Sequence, residues 1–198
     1  KYYNQNFNFV SVSKWLKNKA ENSIVLKSFN IYHIDNNIDF NDFNFLQKED
    51  AKKILNIDTN KQIILYGAQN PQSKRKGWQI FLNAIKKIDN KKYFLLIFGN
   101  FWSQKDLNDI GIEFKSLGFI QNKDLLSAAY SSADIFVATS IEDAWPKTFA
   151  ECMYCGTPVV CFDKTSISEI VKHKLNGYVA RNLDPNSLSE GIEWLLYK

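Results

Sequence analysis

Two acids, Asp143 and Glu151, stand eight positions apart across Ala144-Trp145-Pro146-Lys147-Thr148-Phe149-Ala150. Pro146 makes a turn that opens a helix predicted over 147–154. The N-terminus of a helix gathers unpaired amide N–H groups and a partial positive charge, so it suits a phosphate. Glu151 lies about one turn inside, where the tilt of the Cα–Cβ bond leans it back toward that same end. A carboxylate only accepts hydrogen bonds, so its natural partner is a pair of hydroxyls such as a ribose diol. Phosphate donors and a diol acceptor on one helix end together describe a nucleotide site. The plain alternative is that the acids cap a helix and face water. Thr148 has two readings as well, a hydroxyl given to phosphate or an N-terminal cap.

A basic loop lies upstream. Gly67-Ala68-Gln69-Asn70-Pro71-Gln72-Ser73-Lys74-Arg75-Lys76-Gly77 follows a predicted strand and precedes a helix. It brings backbone amides and three cations to a strand end, yet Gly-x4-Gly-Lys-Ser/Thr is not found in it, so it is no Walker A loop. Gly99-Asn100 and Gly118-Phe119-Ile120 close two further strand ends. A glycine there lets a ligand approach the backbone, and Ile120 is either an apolar wall or ordinary core. Cys152, Cys155 and Cys161 invite a metal reading. With no second close pair and two His in the chain, core thiols fit better, and an odd count suits a reducing compartment. His33 and His173 have no nucleophile to serve and read as surface or linker residues.

The elements that must position these groups alternate. Segments 62–67, 93–99, 112–117, 135–139, 157–162 and 177–180 read as short apolar strands. Helical patterns lie at 78–88, 123–131, 147–154, 166–172 and 185–197, the fourth opening on a Ser-x-x-Glu capping box at Ser166 and Glu169. Such alternation predicts an α/β fold, a parallel sheet with helices on both faces and its ligands at the carboxyl ends of the strands.

The run from Asp143 through Glu151 into Cys152-Met153-Tyr154-Cys155-Gly156-Thr157-Pro158-Val159-Val160 resembles the acid-x7-acid motif of the group 1 (family 4) retaining glycosyltransferases. Its usual form there is Glu, seven residues, Glu, a small-residue helix and Gly-Thr-Pro-Val-Val. The resemblance implies the Rossmann-like second half of a GT-B fold, binding a nucleotide diphosphate sugar as substrate with no cofactor and no metal. It implies Glu151 on the ribose diol, and Asp143, or Glu142 one residue earlier, on the hydroxyls of the sugar. Lys76, in a Lys-Gly that matches the end of the family's phosphate loop, would meet the diphosphate together with the turn Trp145, Pro146, Lys147 and Thr148. Ala68 and Gln69 stand where the family carries an Arg, leaving Arg75 or Lys74 to replace it. Gly67, Gly99, Phe119 and Ile120 complete the donor side, the last two against the base.

Upstream, 9–16 resembles the last strand and helix of the family's acceptor-side domain. Segment 30–39 resembles its Pro-Asn-Gly-Ile-Asp stretch, with Asp35 and Asn37 in place of Pro and Gly, and 48–55 its short helix before the donor domain. Residues 1–56 are thus expected to be the end of an acceptor-side domain and a linker, and 57–198 a donor-binding domain whose closing helices are cut off. The acceptor, a glycan or a lipid-linked one, would be bound through the missing domain. The parent would work in the cytoplasm, associated peripherally with the membrane, in surface-glycan synthesis.

Composition fits a globular protein, 45% hydrophobic and 23% charged with a formal net charge of +4. That mild charge suits an anionic ligand or a membrane surface, and no nucleic-acid partner is expected. No apolar run is long enough to cross a bilayer, and 1–6 has no apolar core of signal-peptide type. Two alternatives stand beside a transferase: a GT-B-type sugar-nucleotide epimerase, and a nucleotide-binding module without turnover. A dinucleotide oxidoreductase would need a Gly-x-Gly-x-x-Gly that is absent.

Overall fold

Strands buried on both faces must be apolar at every position, and two segments of this chain are. Ile63-Ile64-Leu65-Tyr66 and Tyr93-Phe94-Leu95-Leu96-Ile97-Phe98 sit at the centre of a sheet in a computed structural model that describes residues 7–100 and 110–197. The start at 1–6 lies outside the described residues. In chain order the elements are β1 (Asn8–Ser11), α1 (Lys14–Glu21), β2 (Asn30–His33), α2 (Lys48–Ile54), β3 (Gln62–Gly67), α3 (Trp78–Ile85), β4 (Tyr93–Phe98) and β5 (Phe114–Ser116). They continue as α4 (Lys123–Ser132), β6 (Ile135–Ala138), α5 (Lys147–Tyr154), β7 (Val159–Phe162), β8 (Gly177–Ala180) and α6 (Pro185–Leu196). Six strands form one parallel sheet in the order β5-β4-β3-β6-β7-β8.

Successive side chains of β3 go to opposite faces, which divides the core in two. Ile63 and Leu65 join Ala51 of α2, Leu55 just after it, Tyr130 of α4 and Phe149 of α5. Ile64 and Tyr66 join Trp78, Phe81 and Ile85 of α3 and Leu188 and Ile192 of α6. The helices start where their caps dictate. Asn122 accepts from the Leu125 amide to open α4, and Asp184 accepts from Asn186 and Ser187, with Pro185 in the first turn of α6. The expected α/β architecture with helices on both faces is the one observed.

Three segments depart most from expectation. The helix read over 166–172 is a single 3-10 turn, Ile167–Glu169, and Ser166 makes no capping bond. The Ser166 hydroxyl instead donates to the carbonyl of Asp143 at 2.7 Å. Glu169 reaches across the molecule, where its carboxylate accepts the backbone amides of Lys14 (3.0 Å) and Trp15 at the start of α1. Segment 30–33, read as linker, is β2, paired in parallel with β1. The edge strand β5 is shorter than the predicted 112–117, one side of it having no neighbouring strand among the described residues.

Strands β3-β4-β5 run outward in one direction and β6-β7-β8 in the other, so the order reverses between β3 and β6. A crevice opens outside the carboxyl ends of two strands that diverge in this way. The loops that border it are 68–77 and 139–146, the two that the sequence marks for chemistry. No described helix is long and apolar enough to cross a membrane.

Candidate functional site

The basic loop is fixed by its main chain. Residues Lys74–Lys76 make a 3-10 turn ending on Gly77, whose φ is 70°. A Cβ at Gly77 would lie 2.2 Å from the carbonyl oxygen of Thr139, so only glycine lets the turn press against the end of β6. The carbonyl of Lys76 accepts from the Tyr66 hydroxyl (3.0 Å) and from Thr139 Oγ1 (2.7 Å), and the Ile141 amide donates to the carbonyl of Arg75 (2.8 Å). Burial holds the Tyr66 phenol well above its ordinary pKa, so it stays a donor.

With the backbone pinned, two cations point at the motif loop. Lys76 Nζ forms an ion pair with Asp143 Oδ2, and the Arg75 guanidinium lies 3.3 Å from the same oxygen. Lys76 and Asp143 are largely enclosed, with side chains 12% and 16% exposed, whereas Arg75 is 58% exposed. Lys74 faces solvent. Glu142 is exposed and makes no hydrogen bond or ion pair among the described residues.

Pro146 occupies the N-cap position of α5 and has no N–H. The donors expected along 145–148 are therefore the amides of Trp145, Lys147 and Thr148, to which the first turn adds that of Phe149. Trp145 turns its ring into the protein, edge-on to Phe149 at 5.8 Å, and Lys147 is exposed. Thr148 is not a cap, and its hydroxyl has no protein partner among the described residues. Glu151 is 7% exposed, and its Oε2 accepts the Tyr130 hydroxyl at 2.8 Å. Burial, and next the Glu151 charge, raise the Tyr130 pKa well above the usual phenol range, so the proton stays on the tyrosine.

Glu151 lines a cleft of about 420 Å³ with Ala68, Gln69, Phe119, Ile120 and Thr148. That volume is in the range of small-molecule sites. Ile120 is both wall and core, and Phe119 lies exposed at the rim. Thr148 and Ala68 also line a smaller cavity with Gly67, Lys76, Thr139 and Pro146. A second cleft, about 650 Å³, separates α1 from the loops after β6 and β7 and includes Trp15, Glu142 and Lys164.

Two glycines stand where the protein itself leaves no room for a Cβ. A Cβ on Gly67 would lie 2.4 Å from the ring of Phe98, and one on Gly99 would lie 1.9 Å from the carbonyl oxygen of Ala68. Gly99 thus lets two loops close on each other. The thiols are buried and free, and burial pushes Cys155 up to about 11 and Cys161 to about 12. His33 lies 3.0 Å from Asp35, and His173 Nδ1 accepts the Val179 amide; neither lines a cleft described above. The sequence reading missed Tyr66, Thr139 and Tyr130, which hold Lys76 and Glu151. The available signal was a tyrosine amid small residues in 127–132, since a buried phenol needs a partner.

Residues 47–198 match the family model for glycosyl transferases group 1. An uncharacterized glycosyltransferase of Methanocaldococcus jannaschii is 26% identical over 203 residues, covering 94% of this chain and 50% of that protein. The N,N'-diacetylbacillosaminyl-diphospho-undecaprenol alpha-1,3-N-acetylgalactosaminyltransferase of Campylobacter jejuni is 27% identical over 153 residues, 76% of this chain and 39% of that protein. Among solved structures, sucrose-phosphate synthase from Thermosynechococcus elongatus is similar with a TM-score of 0.83 at 21% identity, across 96% of this chain and 49% of that one. Anabaena HepE in complex with UDP and glucose is similar with a TM-score of 0.75 at 20% identity, across 94% and 53%. The chain spans about half the length of the first of these relatives and of both solved structures.

Proposed function

This chain belongs to the group 1 glycosyl transferase family, and from that premise we propose that its full-length protein moves a sugar from a nucleoside diphosphate to an acceptor hydroxyl with retention of configuration. One observation carries the donor reading. A buried carboxylate, Glu151, lines one cleft and Lys76 lines a smaller cavity, and the two hollows share Ala68 and Thr148, the latter in the first turn of α5. The base lies against Ile120 and Phe119, and the ribose diol binds Glu151, which Tyr130 holds by one oxygen. The diphosphate receives the Lys147 and Thr148 amides, the Thr148 hydroxyl and the two cations. As the acceptor oxygen bonds to the anomeric carbon, the bond to the diphosphate breaks, negative charge collects on the leaving oxygens, and the acceptor hydroxyl gives its proton to them. Donors already in place lower that barrier without reorganising, and no metal is required.

Retention is supported by the resemblance of 143–151 to the acid-x7-acid motif. A lipid-linked acceptor is supported by the name of the Campylobacter relative, whose acceptor is a diphospho-undecaprenol saccharide. Residues 1–56 act as the end of the acceptor side and the linker, and 57–198 as the donor side, working in the cytoplasm at the membrane face. Isothermal titration of the chain with UDP, GDP, ADP and their sugars tests the reading. Dissociation constants of about micromolar to millimolar are expected from half a cleft, and no binding to any of them would overturn it. A binding module without turnover is the second reading, favoured by the neutral Gln69 at the position of the loop Arg. Nucleotide affinity without transfer by the full-length protein would select it.

A further inference from the structure

The segment after β7 bonds in two directions at once. Its 3-10 turn, Ile167–Glu169, is stiffened from within. Thr165 Oγ1 donates to the carbonyl of Phe162 at 2.9 Å, and Ser168 Oγ to that of Thr165 at 2.8 Å. Thr165, Ser166 and Ile167 are buried.

One end of this segment reaches the phosphate side. The Ser166 hydroxyl donates to the main-chain carbonyl of Asp143, whose carboxylate pairs with Lys76 and Arg75. Ile167 lines the same small cavity as Lys76 and Thr148. The other end reaches α1. Glu169 accepts the amides of Lys14 and Trp15, while Ser13 accepts that of Leu16. The first turn of α1 holds no acid of its own and opens on Lys14, a charge that a helix N-terminus disfavours. Glu169, 155 positions from Lys14, supplies the missing negative charge. No residue of α1 is buried, so little apolar packing competes with that contact in seating the helix.

We infer that Ser166 and Glu169 are positioning residues that couple the seating of α1 to the grip on the diphosphate. Glu169 holds the end of α1, Ser166 holds Asp143, and Asp143 holds the two cations where the phosphates arrive. The inference rests on the donor reading above, in which α1 lies on the acceptor side. Coupling between two sites is reciprocal, so a bound diphosphate must also tighten the seat of α1.

The test is amide hydrogen exchange of the chain, read by NMR at Lys14 and Trp15. It is run with and without a saturating diphosphate, the tightest-binding of inorganic pyrophosphate, UDP, GDP and ADP in titration. These amides exchange by local opening at a surface helix end, so the global stabilisation that any bound molecule brings leaves them unmoved. Saturation should slow both about two- to tenfold, the net worth of one hydrogen bond. In Ser166→Ala the slowing should vanish. Glu169→Ala changes a solvent-facing side chain and should fold, and its dissociation constant for the same diphosphate should rise by a similar factor. Binding to the unmodified chain without slowing overturns the inference. Slowing that persists in Ser166→Ala overturns it too, because it would mark direct contact of the diphosphate with Lys14, Lys19 and Lys164 in the second cleft. Should Ser166→Ala fail to fold, Glu169→Ala decides alone, and an unchanged dissociation constant overturns the inference. An unmodified chain that binds none of the four diphosphates refutes the donor reading, and the inference falls with it.

Discussion

Replacing Glu151 by Gln keeps the length and shape of the side chain and changes one oxygen to an amide nitrogen. Tyr130 donates to Oε2 at 2.8 Å and is itself held protonated by burial, so the Gln carbonyl will turn toward the tyrosine. That leaves the NH2 facing the cleft where a charged acceptor had been. A ribose diol can accept one bond from it but can no longer donate to that position. A lost hydrogen bond to a charged group costs about 1.5–3 kcal/mol, or roughly a tenfold to hundredfold fall in affinity. The upper part of that range is expected, because Glu151 is 7% exposed and water does little to screen it. The fold should survive, since Gln preserves the Tyr130 contact. The assay is isothermal titration with UDP, GDP and ADP, beside a thermal melt of both proteins. The loss should be the same for bare nucleotides and nucleotide sugars, and should disappear for inorganic pyrophosphate, which has no ribose. A folded Glu151→Gln chain that binds all three nucleotides like the parent would refute the ribose role and leave α5 a solvated helix end.

The parts of this molecule fixed by neighbours in sequence were legible before its fold was known. Apolar runs at 62–67 and 93–98 require a sheet covered on both faces, and Pro146 ahead of an amphipathic stretch marks the start of α5. What escaped were bonds closed by the fold. Ser166 and Glu169 have the spacing of a capping box, yet their partners are Asp143 and the amides of α1, more than a hundred positions away in the case of Glu169. The same limit applies to glycine. Gly77 and Gly99 look alike as loop ends, and only the positions of Thr139 and Ala68 reveal that each is excluded from carrying a Cβ by the chain itself. The acid motif shows the same limit, because spacing selects Asp143 without revealing that Lys76 and Arg75 both pair with it.

Nucleotide binding should be unchanged by excess EDTA, because Lys76, Arg75 and a helix end meet the diphosphate; an absolute need for Mg²⁺ or Mn²⁺ in titration would contradict this. Gly77→Ala places a Cβ 2.2 Å from the Thr139 carbonyl at a φ of 70°. It should lower stability by about 1–3 kcal/mol in urea titration and weaken pyrophosphate binding by displacing Lys76, whereas unchanged values for both would show the turn is not held as described. The last expectation concerns alkali. Burial raises Cys155 from 9.0 to about 11 and Cys161 to about 12, so the folded chain holds these protons more tightly than the unfolded one. A group with a raised folded pKa contributes stability that is complete below its unfolded value and is lost as pH rises through the folded one. The urea midpoint should therefore be level up to about pH 8 and fall steadily between about pH 9 and 11. Iodoacetamide should label the native thiols slowly at pH 8.5 and rapidly once urea is added. Rapid labelling of the native chain, or a midpoint that rises toward pH 11, would show that the thiols are not sealed in the core.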